Sequence, residues 1–240
     1  MLTVIKKQIR VQWENWMACL AIILGGWLVG GVLFRVISGF LAEETKEYIP
    51  IGTVMGAALA VIFLGFIGMM SLELYFNLEI SMGCTRGRFF VSYYLTCLII
   101  NLMGAGLVVL TAIAENQIGL WLYPDLEKSV NLIPYLLEWG VPVAVFLSVF
   151  SVLWGALGMR FGKKIHFVLW GLWMLTCIGG PRIIEAVEEA PDSVFGKFGS
   201  LLAMITKVVP GSAWLTGGVV FCIVGFLVTY GILRRQQVTV

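Results

Sequence analysis

Six long runs of uncharged, mostly apolar residues govern what this chain can fold into: 17–34, 48–72, 89–114, 139–159, 165–181 and 208–233. A helix needs roughly 17–25 such residues to cross the hydrocarbon core of a bilayer, and each run reaches or nearly reaches that length. The runs are apolar on every face rather than alternating, which argues against spanning β-strands. Extended to their polar flanks, they predict spans at 17–41, 50–74, 89–114, 135–159, 165–184 and 211–233. The expected fold is all-α: one polytopic membrane domain over 1–240 with six transmembrane helices. Composition agrees, with 60% hydrophobic and 12% charged residues, against about 45–50% and about 25% in soluble domains.

Charge sets the expected orientation. With both termini cytoplasmic, the inner segments hold Lys6, Lys7, Arg10, Arg86, Arg88, Arg160, Lys163, Lys164, Arg234 and Arg235 against only Glu14, Glu73 and Glu79. The outer segments then carry the remaining six basic and eleven acidic residues. Lys and Arg in short loops favour cytoplasmic retention, so a formal charge of +2 conceals a polarised molecule. Topology accounts for the basic residues and leaves no patch for nucleic acid. The first apolar run exceeds the 7–15 residues of a signal-peptide core and lacks a small-residue cleavage site, so the N-terminus is expected to be kept. Cys19, Cys84, Cys97, Cys177 and Cys222 are odd in number, without a C-x-x-C pair or an outer-loop member. They read as free thiols packing like small hydrophobes.

The segments between the runs carry more information. In residues 1–16, Leu2, Ile5, Ile9, Trp13 and Trp16 fall on one helical face, with Lys6, Lys7, Arg10 and Glu14 on its flank. This predicts an amphipathic helix on the inner surface, its cations meeting anionic lipid or an acidic protein. The plainer alternative is a basic anchor for the first span. In residues 75–88, Phe76 and Ile80 stand four apart with Glu79 alongside. Gly83 can end a helix in the left-handed conformation, and Thr85 can cap the next, whose entry is marked by Arg86, Arg88, Phe89 and Phe90. The expectation is a short separate helix parallel to the membrane, the alternative a plain connecting turn. The two acids Glu73 and Glu79 favour the helix, since cytoplasmic retention needs none.

Other signals are weaker. G-M-R-F-G-K-K at 158–164 has three residues between its glycines, lacks Ser/Thr after the lysine and follows a span, so it is no phosphate loop. The outer loop expected at 115–134 holds Trp121, Tyr123 and Asp125, aromatics suited to the interface. Segment 185–210 is acidic at Glu185, Glu188, Glu189 and Asp192. It then turns amphipathic through Phe195, Phe198, Leu202 and Ile205, as a re-entrant element or a packed cap.

Missing chemistry narrows the function. His166 is the single histidine, too few for a bis-histidine haem or an H-E-x-x-H zinc site, and Ser212 has no partner base. No catalytic, cofactor or metal residues are expected. An ion-coupled transporter places ionisable groups near the bilayer midplane. Here Arg35, Glu73, Glu138 and His166 lie toward span ends, where snorkelling explains them.

The sequence E-I-S-M-G-C-T-R-G-R-F-F at 79–90, the amphipathic N-terminus, the six spans and the larger outer segment before the last span resemble the permease subunits of type-two ATP-binding cassette exporters. The small six-span permeases of Gram-positive bacteria are the nearest in kind. The resemblance covers the chain in topology and about a dozen positions in identity. It implies a chain without its own ATPase, in the bacterial cytoplasmic membrane, served by a separate cytoplasmic ATPase that uses ATP and Mg2+. It also implies a second permease copy or paralogue completing the pathway. The family's coupling element falls on Phe76, Glu79, Ile80 and Gly83, with Thr85, Arg86 and Arg88 at its exit. The implied cargo is amphipathic or hydrophobic: a peptide, bacteriocin, drug or lipid-like molecule, secreted or resisted. The residues that bind it are not legible. Competing readings are a membrane scaffold or sensor that recruits a cytoplasmic partner, and an ion-coupled secondary transporter.

Overall fold

A computed structural model describes residues 8–40, 47–122, 127–128, 131–162, 164–174 and 211–236, together with 197, 199, 200 and 204. Its helices are α1 (Trp13–Phe40), α2 (Ile51–Ser81), α3 (Arg86–Leu122), α4 (Ile133–Phe161), α5 (Lys164–Met174) and α6 (Gly211–Arg235). A helical turn at 8–11 leads into α1, with Gln12 N–H bonded to Gln8 O and Trp16 N–H to Gln12 O. The strands among the described residues are a two-residue parallel pair, β1 (Glu47–Tyr48) and β2 (Glu127–Lys128). Among the described residues, five helices are long and apolar enough to cross a membrane: α1, α2, α3, α4 and α6. This is the all-helical architecture of a multi-pass membrane protein.

The helices are longer than the predicted spans. The second was expected to end at 74, but α2 runs to Ser81 and has 31 residues, about 46 Å at 1.5 Å per residue. The hydrocarbon core is about 30 Å thick, so the ends of such a helix project beyond it. The third was expected at 89–114, with an outer loop from 115. Helix α3 instead covers Arg86–Leu122, because Asn116, Gln117 and Gly119 break apolarity without breaking the helix. In α4, Pro134 sits in the first turn, where its missing N–H costs nothing, and Pro142 is accommodated within the helix. Gly162, at φ +73°, ends it. The described part of the predicted fifth span is α5, 11 residues. The rest of that span, and all but four positions of segment 185–210, lie outside the described residues.

Close packing of α1 on α2 follows from two G-x-x-x-G patterns, Gly26/Gly30 and Gly52/Gly56, which let the backbones touch. A Cβ on Gly30 would lie 2.6 Å from Gly52 Cα, and one on Gly52 2.7 Å from Trp27 O. Helix α2 also packs on α3 and α4, and α4 on α5 and α6. One core cluster joins Leu72, Phe76, Phe89, Tyr93, Val152 and Leu233 near the α2–α3 connection. A second, Cys19, Ile23, Ala60, Leu64 and Val108, lies toward the other end.

Candidate functional site

The α2–α3 connection is four residues long. Helix α2 closes with Gly83 in the left-handed region (φ +84°), Gly83 N–H bonded to Ile80 O (3.0 Å) and Cys84 N–H to Glu79 O (2.9 Å). This nested pair is a Schellman motif, which satisfies the carbonyls of Glu79 and Ile80 at the helix end. Thr85 O accepts the first bond of α3, from Phe89 N–H (2.9 Å), as an N-cap residue does. Gly83 thus ends α2 in the left-handed conformation expected of it, and Thr85 holds the position before α3. The separate membrane-parallel helix is not: residues 76–81 are the last turns of α2. Nothing between Leu72 and Ser81 interrupts helix hydrogen bonding, and the acids Glu73 and Glu79 occupy exposed and half-buried helix positions.

The seven residues assigned to this element separate by environment. Phe76 is 0% exposed and packs edge-to-face on Phe89 (5.4 Å between centroids). It is a core residue, correcting its placement on a docking surface. Ile80 packs against the same cluster, and Glu79 is half-buried. Gly83, Thr85, Arg86 and Arg88 are exposed. Arg86 donates from Nη1 to Arg234 O (2.8 Å), placing its guanidinium on the last turn of α6. Gln236 Nε2 donates to Met159 O (3.2 Å), so the ends of α4 and α6 meet beside the α2–α3 turn. Arg160 and Arg235 are exposed at this same end, and Met82 at the tip is 70% exposed. This end of the bundle thus presents an exposed apolar side chain together with exposed basic residues. Burial first, and then the Glu79 charge, push the Cys84 thiol up, with Arg88 working against them.

The N-terminal stripe is also rearranged. Trp16 is buried, but Trp13 is 52% exposed and Ile9 half-buried. The face turned into the bundle carries Gln8 and Gln12 instead. Thr96 Oγ1 donates to Gln8 Oε1 (3.1 Å), Asn15 Nδ2 to Tyr75 OH (3.3 Å). Polar groups facing one another between helices hold the segment against α2 and α3, a use of Gln and Thr suited to an apolar surrounding. Arg10 is exposed; Leu2, Ile5, Lys6 and Lys7 lie outside the described residues.

At the opposite end lies a carboxylate that the sequence reading left in a loop. Glu115 of α3, 4% exposed, accepts from Tyr48 OH (3.2 Å), Gly52 N–H (3.0 Å), Thr53 N–H (2.5 Å) and Thr53 Oγ1 (2.5 Å). Both peptide donors belong to the first turn of α2, where N–H groups have no partner within the helix. Pro50, the N-cap residue, makes no side-chain cap bond. Glu115 therefore caps α2 from another helix and meets the positive end of its dipole. Phe34 packs edge-on to Tyr48 (4.8 Å), and a Cβ on Gly119 would lie 2.9 Å from the Tyr48 ring. This is a structural clasp.

Between the two ends, Tyr93 OH lies 2.8 Å from Gly68 O and 2.9 Å from Ser71 Oγ. Asn101 Nδ2 donates to Ser148 Oγ (2.8 Å). Among the described residues no three His, Cys, Asp or Glu side chains group as metal ligands would. Compared with protein-family models, with curated proteins and with solved structures, the chain matches none.

Proposed function

We propose that this chain is the permease subunit of an ATP-driven exporter of the type-two ATP-binding cassette class. In this reading it has six spans and cytoplasmic termini in a bacterial cell membrane. A separate ATPase supplies ATP hydrolysis, and a second permease copy or paralogue completes the pathway. The observation that carries the proposal is the tip at 82–88: Met82 stands exposed beyond the end of α2, and Arg86, Arg88, Arg160 and Arg235 are exposed at the same end of the bundle. An exposed apolar side chain at a capped helix end, at the same end of the bundle as exposed arginines, suits insertion into a protein groove. Motion in a bound ATPase would pass along α2 as a rigid rod, because the docking tip and the membrane-crossing part are one helix. A neutral apolar or amphipathic cargo suits the described spans, whose midsections carry no charge.

The test is affinity purification of the tagged chain from its native membranes. A nucleotide-binding subunit is expected to co-elute and to be lost with Met82→Asp combined with Arg88→Glu, while the variant still elutes as a folded species. Retention of an ATPase by that double variant, or its absence from the wild-type eluate, refutes the assignment.

A further inference from the structure

The helical turn at 8–11 and Gln12, which joins it to α1, present two different faces. Gln8, 3% exposed, and Gln12, 6% exposed, point into the bundle. Ile9 and Trp13 each follow one of them by a single residue, so they lie about 100° further round the helix. The apolar side chains are turned out: Val11 and Trp13 are more than half exposed and Ile9 is half-buried. Arg10 is exposed between them.

The inward face is incompletely bonded. Gln12 Oε1 accepts from Trp16 Nε1 at 3.4 Å. An indole nitrogen can only donate, so this contact fixes the amide's direction and leaves Nε2 on the other side. That donor is buried without an acceptor, which costs more than the bond to Trp16 contributes. Gln8 is tied to α3 by one hydroxyl. Thr96 Oγ1 has a single proton for both Ser92 O (2.8 Å) and Gln8 Oε1 (3.1 Å). Gln8 Nε2 lies near the Glu79 carboxylate of α2 without completing a hydrogen bond. This weak seat ends where Trp16, Cys19 and Ile23 begin a buried apolar stripe.

We propose that residues 8–12 form a strap with two positions. In the first, as in the structure, Gln8 and Gln12 are seated against α2 and α3. In the second the strap lies on the bilayer surface, with Ile9 and Trp13 at the headgroup boundary, Arg10 on anionic lipid and both amides in water. The two positions use different faces of one helical turn, so they exclude each other. Seating strands a buried donor and leaves apolar side chains outside. Release reverses both terms, which makes the element bistable. Gln12 also lines a void of about 20 Å³ with Ser71 and Tyr93, and release lets water reach those hydroxyls. The strap involves this chain and the bilayer alone, and stands without the exporter reading.

Electron–electron distance measurements on the full chain in nanodiscs test this. Spin labels are carried on p-acetylphenylalanine in place of Val11 and Ser81, both exposed, so the native cysteines stay in place. Two distance populations are expected in phosphatidylcholine, one matching the seated strap. Replacing half the lipid with phosphatidylglycerol should raise the released-to-seated ratio about fivefold, the effect of one cation at an anionic surface. Gln12→Leu removes the stranded donor and should raise the seated-to-released ratio about tenfold. Thr96→Val removes the partner of Gln8 and should lower it about tenfold. Should Thr96→Val not fold, Trp13→Ser serves: the position is half exposed, and losing the indole should shift the ratio toward the seated strap. A single seated population in both lipids overturns the proposal. So does a ratio that Gln12→Leu and Trp13→Ser leave unchanged.

Discussion

Replacing Glu115 by Gln tests the clasp between α3 and the start of α2. The carboxylate accepts four hydrogen bonds, two from peptide N–H groups of the first turn of α2 and two from hydroxyls. A Gln carbonyl can serve two of them; its NH2 group can donate to the hydroxyl of the other pair but faces that pair's peptide N–H as a donor to a donor. Hydrogen bonds to a charged group contribute roughly 1.5–3 kcal/mol each. A charge at a partly buried helix N-terminus adds up to about 2 kcal/mol. Losing one bond and the charge therefore predicts a destabilisation of about 2–5 kcal/mol. Thr53→Val removes one hydroxyl and keeps both peptide bonds, for a loss of about 1–2 kcal/mol. Because the two side chains touch, the double variant should be non-additive by more than about 0.5 kcal/mol. Reversible unfolding in mixed detergent–SDS micelles, followed by circular dichroism, reads all three. A Glu115→Gln protein within about 0.5 kcal/mol of wild type would refute the reasoning.

Adjacent glycines should behave oppositely. Gly30→Ala forces a Cβ onto the α2 backbone and should lower stability by about 1–3 kcal/mol, whereas Gly31→Ala, with nothing within 4 Å, should change it by less than about 0.5 kcal/mol; thermal unfolding in detergent checks both. Phe76→Ala should cost about 3–5 kcal/mol in the same assay, as a core residue and not a surface contact. Cys84, kept as the sole cysteine, should react with maleimide slowly at neutral pH and faster as pH rises past the ordinary thiol range. Its thiol is pushed up by burial and by the Glu79 charge, and only the thiolate reacts. Removing that charge with Glu79→Gln lowers the thiol's pKa, so labelling at mildly alkaline pH should quicken; an unchanged pH profile contradicts the account.

The membrane-spanning helices were legible because hydrophobicity over some twenty residues is a sum that no single position can reverse. Their ends were not. Glu73 and Glu79 were read as favouring a separate short helix, yet a helix longer than the bilayer is thick carries such residues beyond the lipid. Gly83 was readable as a stop because only a residue without Cβ adopts its conformation readily. Phe76 was misplaced because spacing locates a face without saying what covers it, and Phe89 across the turn covers it. The buried Gln8–Thr96 contact ran against the stripe of Ile9 and Trp13, since in an apolar surrounding polar side chains turn toward one another. Glu115 could not be assigned at all from sequence, its peptide partners lying 62 and 63 residues away. The facing G-x-x-x-G patterns at Gly26/Gly30 and Gly52/Gly56 were available as a signal and point directly to the α1–α2 contact.

The central claim is that the tip of α2 receives a cytoplasmic ATPase. A photoreactive amino acid in place of Met82, activated in native membranes, tests it most directly. The account predicts a crosslink to a nucleotide-binding protein, with a yield that changes when ATP is added and falls when Arg88→Glu is introduced. Efficient photoactivation that yields only lipid adducts, or a crosslink to a protein that binds no nucleotide, would contradict it.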